Sequence, residues 1–156
     1  MCEEGCATPQ PSEAAITTFK QSRRLAVTDI ANMERYDPEH APDPAEWLDL
    51  DEQERLFLIE RFHRRAGRKT PNLRLHAVLH SIVENQLALG EPPNVRATLD
   101  RLMHEGLSRH DAVHAIASVV GEHVHDILQG KNTVGWPADL YDAGLANLSA
   151  SSWREG

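Results

Sequence analysis

The residues best equipped for chemistry in this chain are histidines. Seven of the nine lie between positions 76 and 125. His76 and His80 are four residues apart, as are His110 and His114. At about 100° per residue each pair shares one helix face, with about 40° between its members. Imidazoles on adjacent turns can aim at one ion, which makes His-x-x-x-His a common helical chelate. Several neighbouring imidazoles would repel one another on protonation, so a divalent cation gives a physical reason to gather them. All-nitrogen ligation suits zinc, iron, copper or nickel better than magnesium or calcium, with zinc or iron leading. Glu84 lies one turn beyond His80 and is the carboxylate candidate, either as a further ligand or as a bridge between two ions. One ion is the simpler reading.

The segment His110-Asp111-Ala112-Val113-His114 has the frame of His-Glu-x-x-His with Asp in place of Glu. In that chemistry the histidines hold zinc and the acid takes a proton from its bound water. Metal-assisted hydrolysis is therefore the enzymatic expectation, with Glu84 or Asp111 as the proton acceptor. Asp111 has a competing and stronger reading as a helix cap, because Ser108 stands three residues before it. On the same helix His110, His114, Gly121 and His125 fall within about 60° of one another. Gly121 removes bulk there and could admit a neighbouring helix, whereas Glu122 and His123 point elsewhere.

These side chains need helices to position them, and the pattern predicts an all-α bundle of about five. The first runs from Ser12 to about Arg35, with Ile16, Phe19, Val27, Ile30 and Met33 at helical steps. Residues 36–45 carry three prolines and read as an extended connector. A second helix starts after Asp51 with Glu54 as capping-box acid; Leu56, Ile59 and Phe62, with His63, form its buried stripe. Gly67 stops it, and Arg64, Arg65, Arg68 and Lys69 gather at its end. That basic group could hold an anion, although a solvated helix end is the plainer reading. Pro71-Asn72 opens a third helix to Leu89, Pro92-Pro93 a fourth stopped at Gly106, and Ser108 a fifth ending near Gly130. The links at Gly90-Glu91 and Glu105-Gly106-Leu107 are short, which favours an up, down, up order. The third and fifth helices would then start at one end of the bundle, bringing both histidine pairs and His104 together. The expected organisation is a loose leader over 1–11, one helical domain over 12–130 and a partly ordered tail over 131–156.

Composition narrows the function classes. The chain has 156 residues, 40% hydrophobic but only 5% aromatic, so its core must be mainly aliphatic. A formal charge of −8 repels a phosphate backbone on average and argues against general nucleic-acid binding. No run approaches the roughly 18 apolar residues of a membrane span. Met1-Cys2-Glu3-Glu4 lacks the basic and apolar pattern of a leader peptide, and a cytoplasmic protein is expected. Cys2 and Cys6 are the two cysteines, read as reduced thiols on a loose leader.

Five phrases between Leu75 and Leu128 carry a family likeness: Leu75-His76-Ala77-Val78-Leu79-His80, Val83-Glu84-Asn85-Gln86-Leu87-Ala88, Pro92-Pro93-Asn94-Val95, Leu102-Met103-His104-Glu105-Gly106-Leu107, and Arg109-His110-Asp111-Ala112-Val113-His114-Ala115-Ile116. This stretch resembles an uncharacterised bacterial family, domain of unknown function 1841, in which Glu usually stands at the place of Asp111. The resemblance implies a small helical protein and no particular activity. The leading expectation is thus a helical protein with a histidine-rich transition-metal site, and a metal-dependent hydrolase if it is an enzyme. The alternative is a non-catalytic interaction or regulatory module whose histidines are structural, contacting a protein partner through its acidic surface and the Pro38-to-Trp47 segment. An oxygen-active di-iron bundle ranks below both, because the paired Glu-x-x-His segments on which it is built are not expected here.

Overall fold

The computed structural model describes residues 36–67, 70–131 and 138–155. The expected first helix, the cysteines, Arg68, Lys69 and Trp136 lie outside the described residues. Among those described there are seven helices and no strand: α1 (Pro44–Asp49), α2 (Glu52–Arg65), α3 (Leu73–Leu89), α4 (Pro93–His104), α5 (Arg109–Leu128), α6 (Ala138–Asn147) and α7 (Ala150–Glu155). The fold is all-α, as expected.

Local chemistry sets most of the boundaries. Asp51 and Glu54 form a reciprocal capping box at the start of α2. Asn72 accepts the Leu75 amide at the start of α3, and Gly90 ends that helix at φ 71°, a left-handed conformation that favours glycine. Ser108 Oγ accepts the Asp111 amide at 3.1 Å, so Ser108 caps α5.

The connector departs from expectation in one respect. Asp43 accepts the amides of Ala45 and Glu46, and Pro44 occupies the first turn of α1. Proline there sacrifices no helical hydrogen bond and has its φ preset, so the third proline of the connector starts a helix. Trp47 on α1 is completely buried, and its indole N–H donates to Asn85 Oδ1 at 2.8 Å. Arg55 of α2 reaches back to the carbonyls of Trp47, Leu48 and Leu50 at 3.0, 2.9 and 2.7 Å, satisfying the open end of α1.

The core is aliphatic: Val83 and Leu87 of α3, Val95, Leu99 and Leu102 of α4, and Val113, Ile116 and Val120 of α5. Beyond residue 131 the chain contributes more than a partly ordered tail. α6 packs on α4 and α5 and buries Tyr141 and Leu145 in the same core, against which Trp153 of α7 also lies. Two glycines set helix approach on α5. A β-carbon at Gly121 would lie 3.3 Å from Leu79 Cδ1 of α3, and one at Gly144 of α6 would lie 2.5 Å from Val119 Cγ1.

Candidate metal centre

Four imidazoles from three helices converge inside the bundle. His63 ends the buried stripe of α2, His80 sits mid-way along α3, and His110 and His114 occupy the first turns of α5. One nitrogen from each lies within 4.8 Å of one from every other, a grouping that could hold a metal ion. His63, His80 and His110 are buried, at 1%, 0% and 8% exposure, and His114 is half-buried. His110 and His114 are the closest rings, with centroids 4.2 Å apart, which is the adjacent-turn geometry expected of the pair.

The second expected pair is divided. His80 enters the group, while His76 stands beside it, half-buried, with Nε2 3.1 Å from His63 Nε2 and its ring 4.9 Å from that of His114. The tightest set of four therefore has His63 where the spacing suggested His76. His63 shows little in sequence because its partners are on other helices. One signal was available: Glu60-Arg61-Phe62-His63 has Glu-x-x-His spacing, as does Glu122-His123-Val124-His125. In neither segment does the carboxylate join the cluster. Glu60 pairs with Arg64 and Arg74 at 2.5 and 3.1 Å, and Glu122 is exposed, as is His104 at the end of α4.

Cross-helix pairs also correct the expected sense of packing. Glu84 meets Arg109, His80 meets His110 and His114, and His76 meets His114. The pairs climb α3 as they descend α5. The N-terminal halves of these helices do meet, but in opposite local sense and not as parallel neighbours.

Glu84 is buried at 1% exposure, and both its oxygens are engaged. Oε2 accepts from Arg109 Nη2 at 2.7 Å, and Oε1 accepts from Arg109 Nη1 at 2.8 Å and from the Tyr36 hydroxyl at 2.7 Å. Arg109 Nη1 also donates to the Pro38 carbonyl at 2.7 Å, tying the connector over the site. Glu84 thus stands as a buried anchor outside the group of four histidines. Asp111 has its amide on the Ser108 cap and its carboxylate outside the cluster.

Tyr36 was not foreseen, and it decides the state of His80. Its one proton goes to Glu84, so its oxygen can only accept from His80 Nδ1–H, 2.9 Å away. His80 must then be the Nδ1–H tautomer with its lone pair on Nε2, and that atom is buried without a hydrogen-bond partner. Burial, and after it the imidazoles of His114, His63, His110 and His76, push His80 well below the ordinary histidine range and keep it neutral. Burial lowers His76 as well. Burial and then Glu84 raise the Tyr36 phenol well above its usual range, which keeps it a proton donor.

Residues 16–136 match the sequence profile of a known family, described as domain of unknown function (DUF1841). The chain belongs to that family. The match extends beyond the Leu75–Leu128 stretch on both sides and takes in α2 with His63 and the connector with Tyr36. No curated protein matches the chain, and no solved structure does. The family description assigns no activity.

Proposed function

We propose that this protein binds one transition-metal ion through His63, His80, His110 and His114, with zinc the best-suited ion. The observation that carries this reading is the buried, partnerless Nε2 of His80, whose lone pair is fixed by the Arg109–Glu84–Tyr36 chain behind it. A buried acceptor left unsatisfied costs about 1–3 kcal/mol, and an ion in the cluster would remove that cost. Carboxylate-backed histidines are the usual outer-shell support of a metal ligand, and here a tyrosine relays the carboxylate.

The spacing is compatible with an ion after a modest contraction. Ligand atoms at the corners of a regular tetrahedron with 4.8 Å edges would lie ~2.9 Å from its centre. Zinc–nitrogen bonds of ~2.1 Å need each atom to move inward by ~0.8 Å, within reach of small side-chain rotations. His76 supports His63 from outside and is the natural fifth nitrogen should the coordination expand.

Binding is favoured over hydrolysis. Four protein ligands close a tetrahedral shell, whereas catalytic zinc keeps one position for water. Glu84 has both oxygens engaged and the Asp111 carboxylate lies outside the group of four histidines, so neither expected base is poised beside the cluster. The interaction-module reading is weakened at both ends of its Pro38-to-Trp47 segment, because Pro38 and Trp47 are buried in this chain's own fold, although most of the residues between them are exposed.

Metal analysis of tag-free protein, followed by zinc titration, tests the proposal. Uptake of about one equivalent with a Kd of about 1 μM or tighter is expected. His63→Ala, His80→Ala and His114→Ala should each weaken it by at least about tenfold, and His40→Ala should leave it unchanged. Equal affinity in all four variants would reject this ligand set.

A further inference from the structure

The basic end of α2 has a use that metal binding does not absorb. Among the described residues, Tyr36, Asp37, Leu58, Arg61, Phe62 and Arg65 line a cavity of about 350 Å³. That volume falls at the lower end of the range for small-molecule pockets. Arg64, on the same turn, is neutralised by Glu60 at 2.5 Å. Among the described residues Arg61 has no such carboxylate: its guanidinium carbon lies 5.7 Å from the ring centroid of the exposed Phe57, and its Nη2 is buried without a hydrogen-bond acceptor. A charged donor removed from water without an acceptor is costly, and an anion in the cavity would supply one once the Arg61 guanidinium turns from Phe57 towards it. Arg65, exposed, adds a second positive charge at the cavity.

Two features narrow the class of anion. Asp37 also lines the cavity, with its carboxylate held by the Glu39 amide at 3.1 Å and by His40 at 2.9 Å. The C-terminal end of α2 adds partial negative charge nearby. Both oppose a dianion such as a phosphate monoester, while Leu58, Phe62 and the Tyr36 ring offer an apolar lining. We propose that this cavity binds a small monocarboxylate with an aromatic or aliphatic body, its carboxylate on Arg61 and its body against Leu58 and Phe62. The proposal does not depend on a metal. It does set the ligand one ring away from the histidine cluster, because the Phe62 centroid lies 5.3 Å from that of His63 and 5.4 Å from that of His110.

The test is titration of the metal-free full chain with 3-phenylpropionate, its uncharged analogue 3-phenylpropionamide, and phenyl phosphate, read by backbone amide NMR shifts and calorimetry. The carboxylate should bind with a Kd of about 1 mM or tighter, shifting the amides around Leu58, Arg61 and Phe62. The amide and the phosphate should each bind at least about tenfold more weakly, as should the carboxylate to Arg61→Gln. The comparison of acid with amide on the unmodified chain stands even if that variant folds poorly. Equal affinity for acid and amide, shifts confined to another face, or no response to the acid at about 10 mM would overturn the proposal. Preference for the phosphate would overturn the assignment of a monocarboxylate.

Discussion

Tyr36→Phe is the sharpest probe of how the histidine cluster is held. The substitution deletes one oxygen and leaves a ring that can keep its place 5.6 Å from Trp47 and 6.2 Å from Phe62, so little packing is lost. Two hydrogen bonds disappear, at 2.9 Å from His80 and 2.7 Å to Glu84. A buried bond to a charged carboxylate is worth about 1.5–3 kcal/mol, and Glu84 keeps both bonds from Arg109, so the expected loss of stability is about 2–3 kcal/mol. The larger signal is in metal affinity. Without the tyrosine oxygen nothing in this chain of bonds holds the proton on Nδ1 of His80, and a rotated or re-protonated ring no longer presents Nε2 to the cluster. Loss of comparable outer-shell partners weakens metal binding by about 10–100-fold, or about 1.4–2.7 kcal/mol. Chemical denaturation of the metal-free protein gives the first quantity, and zinc competition against a chromophoric chelator gives the second. Long-range nitrogen–proton NMR reads the His80 tautomer directly. Zinc affinity within about twofold of the parent, with Nδ1 still protonated, would refute the orienting role given to Tyr36.

Two further outcomes follow from groups already described. The metal-free fold should lose stability as the pH drops below about 6.5, because the unfolded chain takes up a proton there that buried His80 refuses; the slope from this residue alone approaches about 1.4 kcal/mol per pH unit until its lowered folded value is reached. Denaturation curves at neutral and mildly acidic pH check this, and a flat profile would contradict a neutral buried imidazole. Gly144→Ala should destabilise by about 1–3 kcal/mol despite alanine's better helix propensity, since its methyl would sit 2.5 Å from Val119 Cγ1; a raised melting temperature would show that α6 does not depend on that close approach.

Local chemistry made much of this molecule legible. The Asp51–Glu54 box, the Asn72 and Ser108 caps and the Gly90 stop act within one helical turn, and each marks a boundary that the structure retains. The His110–His114 pair is local in the same sense, and its members do meet. The rest of the candidate site is written in distances that periodicity does not reach. His63 lies 17 or more residues from the other three members, and Tyr36 lies 44 residues from His80. The prolines that mark 36–45 as a connector say where the chain cannot be helical and nothing about the phenol it inserts beneath α3. Arg109 stands next to a histidine that drew attention, yet its role depends on Glu84 across the helix contact. α1 was hidden because Pro44 was counted as a breaker when its position after Asp43 makes it a starter.

The closed pairing of Glu84 with Arg109 has an electrostatic consequence. The two groups cancel, so the imidazole chamber offers lone pairs but no net negative charge to whatever it encloses. The cost of taking an ion out of water rises steeply with its charge, and what compensates it here comes from the connector, where Glu39 Oε2 lies 3.5 Å from the His110 amide nitrogen. An ion bound as proposed would therefore keep its positive charge, with the connector's carboxylates and not Glu84 the groups left to balance it.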